Sequence, residues 1–109
     1  MPYNARIAQR IQTIVSSWNQ TQEKKMFGGI CHLLNGNMVC GVYKDFLILR
    51  LGEEAAQKAL NQPGVKAFDI TGKPMKGWVM VAPEGFADDA RLAAWLTQAK
   101  AFVLELPAK

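Results

Sequence analysis

Apolar residues recur near the start of the chain at Ile7, Ile11, Ile14, Val15 and Trp18, with Tyr3 one turn earlier. Steps of three and four place them on a single stripe, which predicts an amphipathic helix over residues 3–19. Arg6, Gln9, Arg10, Gln12 and Thr13 fall mostly off that stripe, and the polar, aperiodic Asn19-Gln20-Thr21-Gln22 ends it. From Met26 to Leu51 the pattern changes to strands and tight turns. Leu34-Asn35-Gly36-Asn37 sets Asn-Gly between two apolar segments, the signature of a two-residue type I′ hairpin, whose central positions both need positive φ. A second turn falls at Tyr43-Lys44-Asp45-Phe46, and Phe46-Leu47-Ile48-Leu49-Arg50-Leu51 reads as the third strand of a meander.

Gly52-Glu53-Glu54 opens a short helix with carboxylates in its first turn, where the helix dipole favours them. Ala55, Ala56, Ala59 and Leu60 give it a small apolar side, and Asn61-Gln62-Pro63-Gly64 stops it. Ala67-Phe68-Asp69-Ile70 reads as a brief strand, Thr71–Gly77 as a turn-rich connection and Trp78-Val79-Met80-Val81 as a fifth strand, broken by Pro83-Glu84-Gly85. In the last element Leu92, Trp95, Leu96, Ala99, Phe102, Val103 and Leu106 recur at helical steps. Asp88 and Asp89 precede it, Lys100 lies nearer its end and Pro107 terminates it. The order α-β-β-β-α-β-β-α predicts an α+β domain: a five-stranded antiparallel sheet in two layers, with helices mainly on one face.

The Asn-Gly turn also predicts a register. Leu34 opposes Asn37 and Leu33 opposes Met38; continued by single steps, Cys31 faces Cys40 in a non-hydrogen-bonded pair. The two thiols would share a face with Phe27, Leu33, Met38 and Val42. Two readings then stand side by side. Cys31 and Cys40 are either small buried hydrophobes in a reducing compartment or a redox-sensitive cross-strand pair.

Composition narrows the function classes. At 109 residues with half of them apolar and a fifth charged, the chain reads as one globular domain over 1–109 with enough core to fold unaided. It shows no linker or repeat. No apolar run approaches the ~18 residues of a membrane helix and the N-terminus has no signal-like core, so the expectation is a cytoplasmic protein without a membrane partner. The net charge of +4 lies wholly in the first half, where six basic residues meet only Glu23 and Asp45. That excess falls short of the basic stripe of many nucleic-acid binders, although it permits a weak anionic partner.

The chemistry-bearing residues argue against most enzymes. The one histidine, His32, sits next to Cys31 on a strand, so the two side chains point to opposite faces and a Cys-His nucleophile fails. Two cysteines and one histidine so placed do not converge on zinc; His32 reads as a half-exposed strand residue. The carboxylates fall mostly at turns and helix starts, where caps and dipoles explain them. Phe27-Gly28-Gly29 and Thr71-Gly72-Lys73-Pro74 each lead into a strand, whereas phosphate loops lead into a helix. The expectation is a non-enzymatic protein with no cofactor and no metal. Lys24, Lys25, Lys44, Lys73 and Lys76 stand at strand entrances or turns, either as one interaction patch or as scattered solubilising charges, depending on strand order. Phe27 and Trp78 read as core more than as exposed platforms.

Lys24-Lys25-Met26-Phe27-Gly28-Gly29, the hairpin after it, Phe46–Arg50 and Gly72-Lys73-Pro74-Met75-Lys76-Gly77-Trp78-Val79 together resemble the N-terminal domain of the bacterial competence regulator TfoX, also called Sxy. The resemblance spans most of the chain, and Met-Phe-Gly-Gly followed at this distance by Gly-Lys-Pro-Met-x-Gly makes it fairly specific. It implies a two-layer, secretion-chaperone-like α+β fold. In full-length members a helical C-terminal domain follows, and those proteins act with the cyclic-AMP receptor protein to switch on DNA-uptake genes; this chain ends at Lys109. The resemblance implies a regulatory or protein-interaction module with an unidentified protein partner, with Lys24 to Gly29 and Gly72, Lys73, Lys76 and Gly77 as the motif residues. Three other expectations stay open: a homodimer through an uncovered sheet edge, a nucleic-acid accessory using the lysines near 24–25 and 73–76, and a small-ligand or enzyme pocket near Gly28-Gly29.

Overall fold

The computed structural model describes residues 3–26, 28–69 and 75–107. The first helix, α1 (Ala5–Val15), begins at Asn4, whose side chain accepts from the Arg6 and Ile7 amides. The Asn4 amide group donates to Asp45 at 3.0 Å and its backbone N–H donates to the Lys44 carbonyl at 2.8 Å. One residue thus caps α1 and pins it to a distant turn. The helix stops at Val15, four residues before the predicted end. Ile7, Ile11 and Val15 are its buried stripe.

Six strands follow, one more than predicted: β1 (Thr21–Met26), β2 (Gly29–Leu34), β3 (Asn37–Tyr43), β4 (Phe46–Arg50), β5 (Val65–Ala67) and β6 (Trp78–Val81). The short helix α2 (Glu53–Ala59) lies between β4 and β5, a 3₁₀ turn (Pro83–Phe86) follows β6, and α3 (Asp89–Leu104) closes the chain. The unpredicted strand is β1. It is an edge strand with Gln22, Glu23, Lys24 and Lys25 exposed, so it lacks the apolar alternation by which a half-buried strand is read. The brief strand predicted at 67–70 lies earlier, at Val65–Ala67; Phe68 and Asp69 lie beyond it, and Ile70 is outside the described residues.

The sheet order is β1-β2-β3-β4-β6-β5 and every pairing is antiparallel. The β2–β3 turn has positive φ at both Asn35 and Gly36, as a type I′ hairpin requires. Its register matches the prediction for Leu34↔Asn37 and Leu33↔Met38 and then shifts, because Val39 is inserted as a bulge opposite the His32/Leu33 step. Beyond it His32 pairs with Cys40 and Cys31 with Gly41. The predicted Cys31–Cys40 pair does not form.

Helices cover one face of the sheet. Ile7, Ile11 and Val15 of α1, with Leu92, Leu96, Ala99 and Val103 of α3, pack on Val39, Cys40 and Val42 of β3, Leu47 and Leu49 of β4, and Val79 and Val81 of β6. Ala56 and Ala59 of α2 join the same core. Polar contacts tie the helices down: Arg10 reaches the Phe86 carbonyl at 2.9 Å and Asp89 at 3.2 Å, Trp95 Nε1 donates to the Gly85 carbonyl, and Asn37, itself buried, donates to the Pro107 carbonyl. On the opposite face Ile48, Phe68 and Met80 are buried beneath Met38, Tyr43, Phe46 and Trp78, which remain partly exposed.

Because Asn4 serves both the helix start and the β3–β4 turn, its replacement should cost more than an ordinary surface cap. Asn4→Ala should lower unfolding free energy by about 1–2 kcal/mol, read as a reduced urea midpoint with an unchanged slope.

Candidate functional site

The motif residues at the sheet entrance divide between exposure and support. Lys24 and Lys25 are adjacent in β1 and both exposed. Lys24 pairs with Cys31 and Lys25 with Ile30, so alternation aims Lys24 at the open face and Lys25 at the helix side. Met26 closes the strand opposite Gly29; Phe27 lies outside the described residues. Gly28 turns the chain with φ of 77°, a conformation costly for other residues. A Cβ on Gly29 would collide with the Val42 carbonyl oxygen. The glycine pair therefore makes the β1–β2 turn and lets β2 approach β3 closely.

In the second motif segment Gly72 and Lys73 lie outside the described residues. Lys76 is exposed. The Gly77 carbonyl accepts from Leu51 at 2.9 Å and Gly52 at 3.1 Å, which fixes the entrance to α2 against β6. Strand order keeps the two motif segments apart. Four inter-strand steps separate β1 from β6, roughly 19 Å at the usual spacing of about 4.8 Å. Lys24 and Lys25 thus do not form one patch with Lys76, and Lys44 occupies a third location, the β3–β4 turn.

Cys31 and Cys40 are free and buried. They sit on neighbouring rungs with opposite facing: a Cβ on Gly41 would lie 3.3 Å from Cys31 Sγ, on the open-face side, while Cys40 belongs to the helix-side core. Val42 goes with Cys40, and Leu33 and Met38 go with Cys31. Burial pushes the Cys31 thiol up to about 11 and raises Cys40 further, with Cys31 adding to the effect. His32 is 3% exposed, not half-exposed as the pattern suggested, because register sets it on the helix side of the sheet with the buried Ile30 and Leu34. Burial lowers its pKa, and Glu23, its partner across the rung, opposes the shift. Among the described residues no three His, Cys, Asp or Glu side chains are grouped to hold a metal ion.

The sheet face away from the helices is a surface that sequence reasoning missed. Register assigns it Lys24 of β1, Tyr43 of β3, Phe46 and Arg50 of β4, Lys66 of β5 and Trp78 of β6. Tyr43 lies opposite Phe46, and Arg50 opposite Trp78. Lys66 Nζ stands 4.4 Å from the Phe46 ring centroid and the Arg50 guanidinium 5.3 Å from that of Trp78. Trp78 also packs on Phe68 with ring centroids 5.8 Å apart. One signal was available: alternation in Phe46-Leu47-Ile48-Leu49-Arg50 already sets positions 46, 48 and 50 on one face. Which other side chains join them depends on a sheet order that no local pattern encodes.

Clefts are lined by described residues at several places. One of about 440 Å³ lies beside Pro63, Gly85, Arg91 and Trp95. A second lies between the start of α1 and Asp88-Asp89, and a third against α2 and Phe102. No helix among the described residues is long and apolar enough to cross a membrane.

An α+β domain with an open antiparallel sheet, helices on one side and a Lys-Lys-Met-Phe-Gly-Gly entrance is the class that fold and motif define together. The family model for the TfoX N-terminal domain matches residues 13–103, and the chain belongs to that family. Searches of curated proteins and of solved structures return no match.

With Cys31 pushed to about 11, about one thiol in a thousand is ionised at pH 8. Neither cysteine should react with an aromatic disulfide reagent in the folded protein, and both should react in denaturant; mild oxidation should yield no intramolecular disulfide on non-reducing gels. His32 predicts a pH effect. Its pKa is lower folded than unfolded, so the unfolded chain binds more protons and stability falls as pH drops below the ordinary value of 6.5. Urea midpoints measured downward from pH 7 should show that fall, and His32→Gln should flatten its upper part.

Proposed function

We propose that this chain is a non-enzymatic cytoplasmic regulatory module of the TfoX N-terminal type, which works by protein contact in the control of transcription for competence. The β1 edge carries the reading. β1 pairs with β2 on one side only, its residues 22–25 are exposed, and it bears the family's Lys24-Lys25. An edge strand of six residues offers unpaired backbone donors and acceptors to a partner's extended segment, and two lysines select for acidic flanks on that segment while discouraging indiscriminate pairing. Membership of a regulatory family supports the same reading, as does the burial of Cys31, His32 and Cys40.

Affinity capture from the native cell tests it, with the wild-type chain beside Lys24→Glu/Lys25→Glu. The expected result is a partner retained by the wild type and lost, by at least about tenfold, from the charge-reversed variant. An identical set of partners for both proteins would detach function from this edge.

A further inference from the structure

We propose that the open face of the sheet is a docking platform for single-stranded nucleic acid, with Tyr43, Phe46 and Trp78 offered to bases and Arg50 and Lys66 to phosphates. This goes beyond the β1-edge reading and rests on a different surface.

Charge distribution carries the argument first. At the open-face positions of the six strands there are three cations and no carboxylate. Glu23 pairs with His32 on the helix side, and Asp45, in the turn nearest the face, is held by the Asn4 amide at the start of α1. Glu53, Glu54, Glu84, Asp88, Asp89 and Glu105 lie on or beside α2, the 3₁₀ turn and α3; the remaining carboxylate, Asp69, is exposed and follows Phe68 of the open-face cluster. The open-face strand positions thus carry positive charge beside partly exposed aromatic side chains.

Ring contacts supply the second observation. Arg50 and Lys66 make no ion pair among the described residues and lie instead over Trp78 and Phe46; Lys44 lies 5.4 Å from Tyr43 in the same way. A cation over an exposed ring gains little, about 0.5–1 kcal/mol, so a phosphate can recruit it and leave the ring to a base. The Tyr43–Phe46 pair and the Arg50–Trp78 pair stand about four residues apart along β4, roughly 13 Å, which spaces two stacking positions along an extended strand. A sheet face with aromatic platforms and flanking cations reads bases that are unstacked. A duplex hides those bases, and an acidic polypeptide has no flat ring system to place on the aromatics.

Fluorescence anisotropy with labelled oligo(dT) and oligo(U) tests the platform, and its two arms separate DNA from RNA. At low salt at least one probe should bind, and the logarithm of affinity should fall with that of salt concentration with a slope of about −1.4, as expected for two phosphate contacts. Arg50→Glu/Lys66→Glu should weaken binding by more than about tenfold. Phe46→Leu keeps apolar bulk over Ile48 and Met80 but removes the ring, and should weaken it about fivefold. Lys58→Glu, on α2, should change it by less than about twofold. Amide chemical-shift mapping on the wild-type chain needs no variant and should place the perturbations on β4 and β6. Absence of binding to both probes at low salt, displacement by polyglutamate at equal charge, equal affinity for a duplex, or shifts confined to the helices would each overturn the proposal. The Lys24→Glu/Lys25→Glu capture reports on the other surface, and because the decisive substitutions here lie in β4 and β5, failure of one reading leaves the other standing.

Discussion

The structure turns on one extra residue in β3. Val39 and Val42 are three positions apart, so strict strand alternation would send them to opposite faces. Both are in the helix-side core, and the bulge at Val39 makes that compatible. It inverts the facing of everything that follows in the strand. Cys40 turns inward with Val42, Gly41 comes under Cys31, and Tyr43 moves to the open face opposite Phe46. With two completely buried valine-sized positions at stake, an unbulged strand would give up burial worth about 1.5–3 kcal/mol for each large side chain expelled. The local loss of one ladder rung is smaller than that.

From this inversion follows the division of labour between the two faces. The helix side takes Val39, Cys40, Val42, Leu47, Leu49, Val79 and Val81 and is sealed by α1 and α3. The open side receives what is left: rings, long cations and the small cluster of Ile48, Phe68 and Met80. Cations there have no carboxylate within the sheet to pair with, and they settle over the rings. An antiparallel sheet can carry one solvated face, and here its chemistry is one-sided in charge.

The family motif is mostly architectural. Gly28 and Gly29 make a tight turn and a close approach to β3, and Gly77 lends its carbonyl to the start of α2. Such positions are legible in sequence as a resemblance, because a glycine that must take positive φ or admit a neighbouring backbone has no substitute. Their purpose was less legible, since the contacts that need them, Val42 for Gly29 and Leu51 with Gly52 for Gly77, come from distant segments. β1 escaped notice for a related reason. Its one strand neighbour shields the backbone on one side and leaves Gln22 to Lys25 in water, so no periodic apolar signal arises.

By itself the sequence determined the types of all elements but β1, the Asn35-Gly36 turn, the helix stripes and the α+β class, because each is set by interactions within a few residues: period, φ preference and capping. Tertiary structure decided the rest. Whether Cys31 meets Cys40, whether His32 is covered, whether the lysines gather and which aromatics share a face with which cations all depend on strand order and on a single inserted residue. Those are settled by burial summed over the whole core, a quantity that no local window contains.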